Sequence, residues 1–449
     1  MGSENTAPGA SLKGGTAGPL LLTGLGLAYL IVGDYVGWGF ALASGGVGGA
    51  LVGLAIATLM FLCLTSCLSE LAAMMPSAGG AHQFIVRGLG SKVGHLAGAA
   101  ILVEFICGTA ALASVLALYM TALTGLSPTV SILSLFALVS LLHIRGVGEA
   151  LVFTMVTALL AVIGICAFLS TMLPHLSTEK LLSIVPQGGH SVWFPFGWTG
   201  VWSSLAFVVT FYITLEGVAF AAEEAARPER NVPIAMFLTL MIAAMLATAV
   251  IVMGPAGVGA TAIAGAADPI AAATGALAVK NATLLTITNA GAISALVAGF
   301  FGGMYASSRL LFHMARQRLL PAALQRVNSR QAPWVAVLTV DAMGIAVAIS
   351  GHIQQLIVIF VFGATVVYVL LFAAHWQLRR TEPAAYRPFR SLGGALLPAT
   401  GIVLALVIFV ACFLADTKWS GVGAVILVIA TLYFRAQDPS PRAAIDTGC

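Results

Sequence analysis

Tyr29-Leu-Ile-Val-Gly-Asp-Tyr-Val-Gly-Trp-Gly-Phe40 interrupts the first long apolar run of the chain, which begins near Leu20 and would otherwise cross a bilayer as one helix. Gly33, Gly37 and Gly39 fall close to its middle, with Asp34 among them. An ionisable side chain at that depth costs roughly 2.5–3.5 kcal/mol unless a partner or a wet cavity receives it. Glycine lets the backbone leave helical geometry, and a membrane tolerates such a break only where protein or water lines it. The stretch therefore predicts a broken helix holding a binding site. A glycine-rich packing seam would explain the glycines but not Asp34.

The rest of the chain supports a membrane setting. Of 449 residues, 60% are hydrophobic and 8% charged, and a soluble domain of this size has no way to cover so much apolar surface. The net charge of +4 is spread through loops, which gives a nucleic-acid role no support. Cys63 and Cys67 share a helix face with no His or acid at ligand spacing, so no metal site is expected. Residues 1–19 are polar and glycine-rich and are expected as an N-terminal tail rather than a cleavable signal.

Apolar runs predict twelve membrane helices, near 20–43, 46–73, 95–121, 127–145, 149–173, 199–223, 233–256, 283–312, 333–351, 353–378, 393–415 and 418–435. With the N-terminus inside, only Lys180, Lys280 and Lys418 of the 20 Lys and Arg fall outside. That positive-inside bias predicts a multi-pass protein of the cell (inner or plasma) membrane with both termini cytoplasmic, including a short tail over 436–449. The longer outer segments, 174–198 and 257–282, place Trp193 and Trp198 as interfacial anchors.

The sixth span, Phe211-Tyr-Ile-Thr-Leu-Glu-Gly-Val-Ala-Phe220, again sets an acid beside a glycine in mid-run. Two broken spans at matching places, five helices apart, point to an inverted-repeat transporter with its site at the repeat interface. The expected fold is thus all-α: two five-helix repeats, about 20–173 and 199–378, form a transport core over 20–378, and peripheral helices eleven and twelve span 393–435.

Four acids fall well inside spans: Asp34, Glu104, Glu216 and Asp341. Lys and Arg sit at span ends, Arg309 and Arg379 included, so the interior suits a cationic substrate, a proton, or both. Glu104 and Asp341 have the alternative of being protonated, hydrogen-bonded structural groups. Tyr35, Trp38, Phe211 and Tyr212 cluster at the breaks, where aromatic faces can cage an ammonium. The candidate substrate site is therefore Gly33, Asp34, Tyr35, Gly37, Trp38, Gly39, Phe211, Tyr212, Glu216 and Gly217. His82, His143, His313 and His375 are expected to be solvated at cytoplasmic helix ends.

Further motifs carry a resemblance. Ser69-Glu-Leu-Ala-Ala-Met-Met-Pro-Ser-Ala-Gly-Gly-Ala-His-Gln-Phe84, the run from Glu216 to Pro233, Tyr305-Ala-Ser-Ser-Arg309 with Met314 to Pro321, and Tyr386-Arg-Pro-Phe-Arg390 resemble, in order, signatures of the amino acid–polyamine–organocation superfamily. The resemblance implies a five-plus-five inverted-repeat permease that holds its substrate between broken helices one and six. Within it, Gly33 to Trp38 with Phe40 is similar to the ethanolamine permease branch, although Gly39 stands where that branch is expected to have asparagine. The superfamily's amino-acid permeases usually have Gly-Ser-Gly where this chain has Gly37-Trp38-Gly39, so the resemblance implies a small organic amine, ethanolamine first, with an amino acid as the alternative.

No cofactor is expected, and coupling to H+, coupling to Na+ and electrogenic uptake without an ion are all open. The fifth span lacks the lysine of some proton-coupled members, so a proton would be carried by Glu104; Ser294, Ser307 and Ser308 offer hydroxyls for sodium, although Ser307 and Ser308 lie near the cytoplasmic end, where they read as packing or capping groups. Glu223 and Glu224, facing Arg227 and Arg230, are expected to form an inner gate with Arg87, or else a surface ion-pair cluster of little energetic weight. The expected partners are a small-molecule substrate and the lipid bilayer, with the chain acting as a monomer or weak homo-oligomer. Enzyme chemistry is not expected: no nucleophile–base pair or metal motif occurs at depth.

Overall fold

The computed structural model describes residues 15, 17–145, 147–277 and 281–437. Lys13, Lys280, Arg442 and most of both expected tails lie outside the described residues. Apart from one isolated bridge between Ala17 and Ala225, every regular element described is helical.

Helices α1 (Pro19–Leu30) and α2 (Val32–Tyr35) lead into α3 (Trp38–Met74). Then come α4 (Gly80–Leu89), α5 (Ser91–Thr124), α6 (Pro128–Arg145) and α7 (Val147–Met172). Short α8 (Thr178–Leu181) precedes α9 (Gly197–Val208), a 3₁₀ turn at Val209–Phe211 and a 3₁₀ stretch at Leu215–Glu224. The chain continues through α10 (Pro228–Val258), α11 (Ala260–Ile263), α12 (Pro269–Ala276) and α13 (Ala282–Arg316). It closes with α14 (Trp334–Ala348), α15 (Ile353–Thr381), α16 (Leu396–Ala415) and α17 (Thr417–Gln437).

Among the described residues, ten helical stretches are long and apolar enough to cross a membrane, and Pro19–Tyr35 and Trp334–Ala348 are shorter apolar helices. The spans expected at 20–43 and 46–73 are distributed over α1, α2 and α3. Within α3, Gly46 at φ 66° breaks the helical path, and Pro195 occupies the place a Cβ would take there. Only glycine meets both demands, which is why the boundary falls on it. The best apolar windows of α16 and α17 are only 33% and 28% buried, so these two helices lie at the periphery with most of their apolar surface outward, as hydrocarbon contact requires.

The broken first helix is observed as the sequence predicts. Val36 is extended, Gly37 is left-handed at φ 91°, and α3 starts afresh at Trp38. Its counterpart breaks between Val208 and Leu215, where Thr214 takes φ 76°. A β-branched residue is rarely found in that region, and holding it there costs on the order of 1–3 kcal/mol. The two breaks meet at Gly33: a Cβ there would lie 2.7 Å from Phe211 Cα and 2.9 Å from the Thr210 carbonyl oxygen. Gly33 is thus the point where two interrupted helices touch backbone to backbone.

At the end opposite the arginine-rich one, Trp193 and Trp198 are exposed, as expected of interfacial anchors. The 257–282 segment is more than a connector. Gly265 N–H donates to Gly39 O at 2.8 Å and Gly37 N–H to Ala267 O at 3.0 Å, so the segment clasps the start of α3.

Candidate substrate site

A cavity opens between the two breaks. Gly33 and Gly37 form part of its wall with Val32 and Val36, and Thr210, Ile213 and Thr214 face them from the second break. Tyr29, Phe105, Leu112, Leu296 and Phe360 complete a surface that is overwhelmingly apolar. No carboxylate is among the lining residues described.

The backbone supplies the polarity. In an uninterrupted helix Gly37 N–H would donate to Gly33 O and Thr214 N–H to Thr210 O. Instead Gly37 N–H goes to Ala267 O, and Thr214 N–H goes to the Tyr368 hydroxyl at 3.1 Å. The carbonyls of Gly33 and Thr210 are thereby released from their helical donors beside the cavity. At the same place α3 begins without a side-chain cap, and helix N-termini favour negative charge. A site with freed carbonyls and a helix start suits a ligand bearing both an ammonium and a carboxylate.

Of the candidate site residues, Gly33 and Gly37 line this cavity, and the other eight are not among its lining residues. Trp38 is fully buried, with Nε1 donating to Asp34 O at 3.0 Å and its ring end packed at Gly254. Tyr35 donates to Ala161 O at 2.7 Å, and Tyr212 pairs with Thr58 at 2.8 Å. Phe211 is buried against Gly33, Gly39 against Ala266, and Gly217 against the Tyr29 ring. Asp34 is buried, and its Oδ1 has no hydrogen-bond partner. Glu104 and Glu216 are buried, and none of their carboxyl oxygens has a hydrogen-bond partner among the described residues. Asp341 is buried too, bonded to Ser140.

Charged partners at the arginine-rich end differ from the expected ones. Glu224 pairs with Arg309 at 3.3 Å rather than with Arg227 or Arg230, and the Tyr305 hydroxyl donates to the same carboxylate. Both charged side chains have no exposed surface, which corrects the placement of Arg309 clear of the buried acids. The Arg309 guanidinium also lies 3.6 Å from the Tyr305 ring centroid. Glu223 pairs with Arg316 and caps Ala78 N–H at 2.9 Å, while Arg87 pairs with Glu382 at 2.7 Å. That guanidinium holds the Glu382 carboxyl below its ordinary range. Glu70 is gripped by His375, Arg379, Arg387 and Ser391, tying the end of α3 to the segment after α15.

The four histidines expected in solvent are all buried. His82 and His313 rings meet at a centroid distance of 5.6 Å because α4 folds over the end of α13. Burial pushes the His82 imidazole down to about 4.

Sequence reasoning missed Thr214 and Tyr368. Nothing in the sequence marks a threonine for a left-handed backbone, and Tyr368 reads as one more aromatic in a long apolar helix.

This arrangement, broken helices meeting over a central cavity in an all-helical, membrane-crossing chain, is that of a multi-pass permease, not an enzyme. Residues 22–433 match the amino acid permease family, and the chain belongs to it. It is 25% identical to an uncharacterized transporter of Rhizobium meliloti over 93% of this chain and 90% of that one. A branched-chain amino acid permease of Lactococcus lactis is 24% identical, with 82% of each chain covered. Cationic amino acid transporter 4, vacuolar, of Arabidopsis thaliana is 26% identical over 81% of this chain, which spans 64% of that protein's length.

Proposed function

We propose that the protein moves an amino acid with an apolar side chain across the membrane by alternating access. One observation carries the reading: the cavity at the helix breaks pairs released backbone carbonyls and a helix start with an apolar wall that holds no carboxylate. The ammonium of the substrate is received by the carbonyls of Gly33 and Thr210, its carboxylate by the first turn of α3, and its side chain by Val32, Val36, Leu112 and Phe360. The names of the branched-chain relatives support this side chain. Twelve helices in a five-plus-five inverted repeat, with both termini cytoplasmic, complete the proposed architecture. The substrate sits at the repeat interface, where discontinuous helices generally bind it.

A second reading is a cationic amine without a carboxylate, ethanolamine among them. It is supported by Asp34, whose Oδ1 is unpartnered one residue from the cavity wall. Counterflow into proteoliposomes separates the two. Labelled leucine exchanging against leucine, valine and isoleucine but not against ethanolamine is the expected result. Exchange of ethanolamine with leucine inert would overturn the proposal in favour of the amine.

A further inference from the structure

Along α10, one of the helices apolar enough to cross a membrane, Arg230, Ile234, Phe237, Leu238 and Met241 recur at three- and four-residue intervals and so share one face. Ile234, Leu238 and Met241 are exposed on it. Pro388 and Phe389 build a second wall beside that stripe, and the Phe389 ring stands 6.2 Å from the Phe237 ring. The two walls enclose a groove of about 660 Å³ on the outside of the molecule. It shares no lining residue with the cavity at the helix breaks.

The second wall is preformed. Residues on either side of it are held by one buried carboxylate: Arg387 Nε lies 2.9 Å from Glu70 Oε1, and Ser391 N–H donates to Glu70 Oε2 at 2.8 Å. Pro388 fixes its own φ between those two anchors. The groove therefore has its shape without an occupant.

Its two ends differ in chemistry. From Arg230 to Met241 the helix rises about 16 Å, close to the hydrocarbon depth of one leaflet, about 15 Å. The charged residues gather at one end. Arg227 and Arg230 stand at the start of α10 with Glu229 between them, and Arg390 directly follows Phe389. Among the described residues, the side chains of these three arginines have no ion-pair partner. Three unpaired guanidiniums against one carboxylate leave that end positive, while the rest of the stripe is apolar. A free phosphate or a soluble acidic peptide would use the first end and leave the second bare. A zwitterionic lipid would cover the second and leave the excess positive charge unmatched.

We infer that this groove binds an anionic phospholipid, with its headgroup at Arg230 and Arg390 and an acyl chain along Ile234, Leu238 and Met241. Lipid held there joins α10 to the segment between α15 and α16. The site is independent of what the cavity at the helix breaks carries.

Native mass spectrometry of the detergent-purified protein tests this, with dioleoyl phosphatidylglycerol, dioleoyl phosphatidylcholine and inorganic phosphate as probes. Phosphatidylglycerol should be retained saturably, about fivefold or more tighter than phosphatidylcholine. Arg230→Gln and Arg390→Gln should each weaken its retention about fivefold. Ile234→Trp, which fills the groove without changing charge, should weaken it as well. Glu229→Gln should strengthen it, a gain that no folding defect produces. Arg435→Gln, on α17, should leave it unchanged. Equal retention of the two lipids would overturn the headgroup recognition. Retention indifferent to Ile234→Trp, or reduced as much by Arg435→Gln as by Arg230→Gln, would place the lipid elsewhere and overturn the groove. Displacement of phosphatidylglycerol by inorganic phosphate alone would overturn the lipid in favour of a simple anion site.

Discussion

At Gly33 a single hydrogen atom decides whether the two broken helices can meet. Any side chain there drives a Cβ into the Phe211 and Thr210 backbone, and a backbone neighbour cannot rotate away. Gly33→Val is expected to cost about 1–3 kcal/mol and to abolish leucine counterflow, read as a lower melting temperature together with loss of exchange. His82 makes a different prediction. Its imidazole is neutral when folded and titrates near 4, below the ordinary 6.5, so the unfolded chain binds more protons between those values. Stability therefore rises with pH across that window and falls as pH drops through it, with an upper bound on the order of 3 kcal/mol. Melting curves of wild type and His82→Gln at pH 6.5 and pH 4.5 should show the smaller acid loss in the variant. A loss of equal size in both would place the acid sensitivity elsewhere.

Between elements, the Arg309–Glu224 pair joins α13 to the end of the 3₁₀ stretch without access to water. Removing one member leaves an uncompensated buried charge, so Arg309→Leu is expected to cost about 3–5 kcal/mol. Adding Glu224→Leu should recover much of that loss, and additive losses in thermal unfolding would show that the two charges are independent. This pairing also marks the limit of what the sequence disclosed. The first break was legible because three glycines and an acid stand together where a helix should run unbroken. The second was half legible: Glu216-Gly217 signalled it, but the strained residue is Thr214, whose backbone is set by the Tyr368 hydroxyl 154 residues away. Glu223 and Glu224 lie beside Arg227 and Arg230 in the chain, yet their partners come from α13, 93 and 85 residues distant. The histidines looked solvated because they sit near helix ends, but His82 and His313 meet each other, His143 stacks on Phe301, and His375 lies against Glu70.

For the whole molecule, ligand binding and stability are linked. A solute that binds only the folded carrier stabilises it by about 2.7 kcal/mol at a hundredfold excess over its Kd. Leucine is expected to raise the melting temperature of detergent-solubilised protein in a saturable way, and ethanolamine to leave it unchanged. The reverse order would favour the amine. The sequence reading anticipated a charged cage; the residues lining this cavity include no carboxylate, and Asp34, Glu104 and Glu216 are buried outside its lining. Composition reports which groups are buried, not which layer they occupy. Ala17 adds a point for anyone trimming this chain. Ala17 accepts from Ala226 N–H at 2.9 Å and donates to Glu224 O at 3.1 Å, so the polypeptide ahead of the first helix is basted to the tail of the second interrupted one. A version cropped to begin at Pro19 cuts both stitches between the start of α1 and the end of the 3₁₀ stretch.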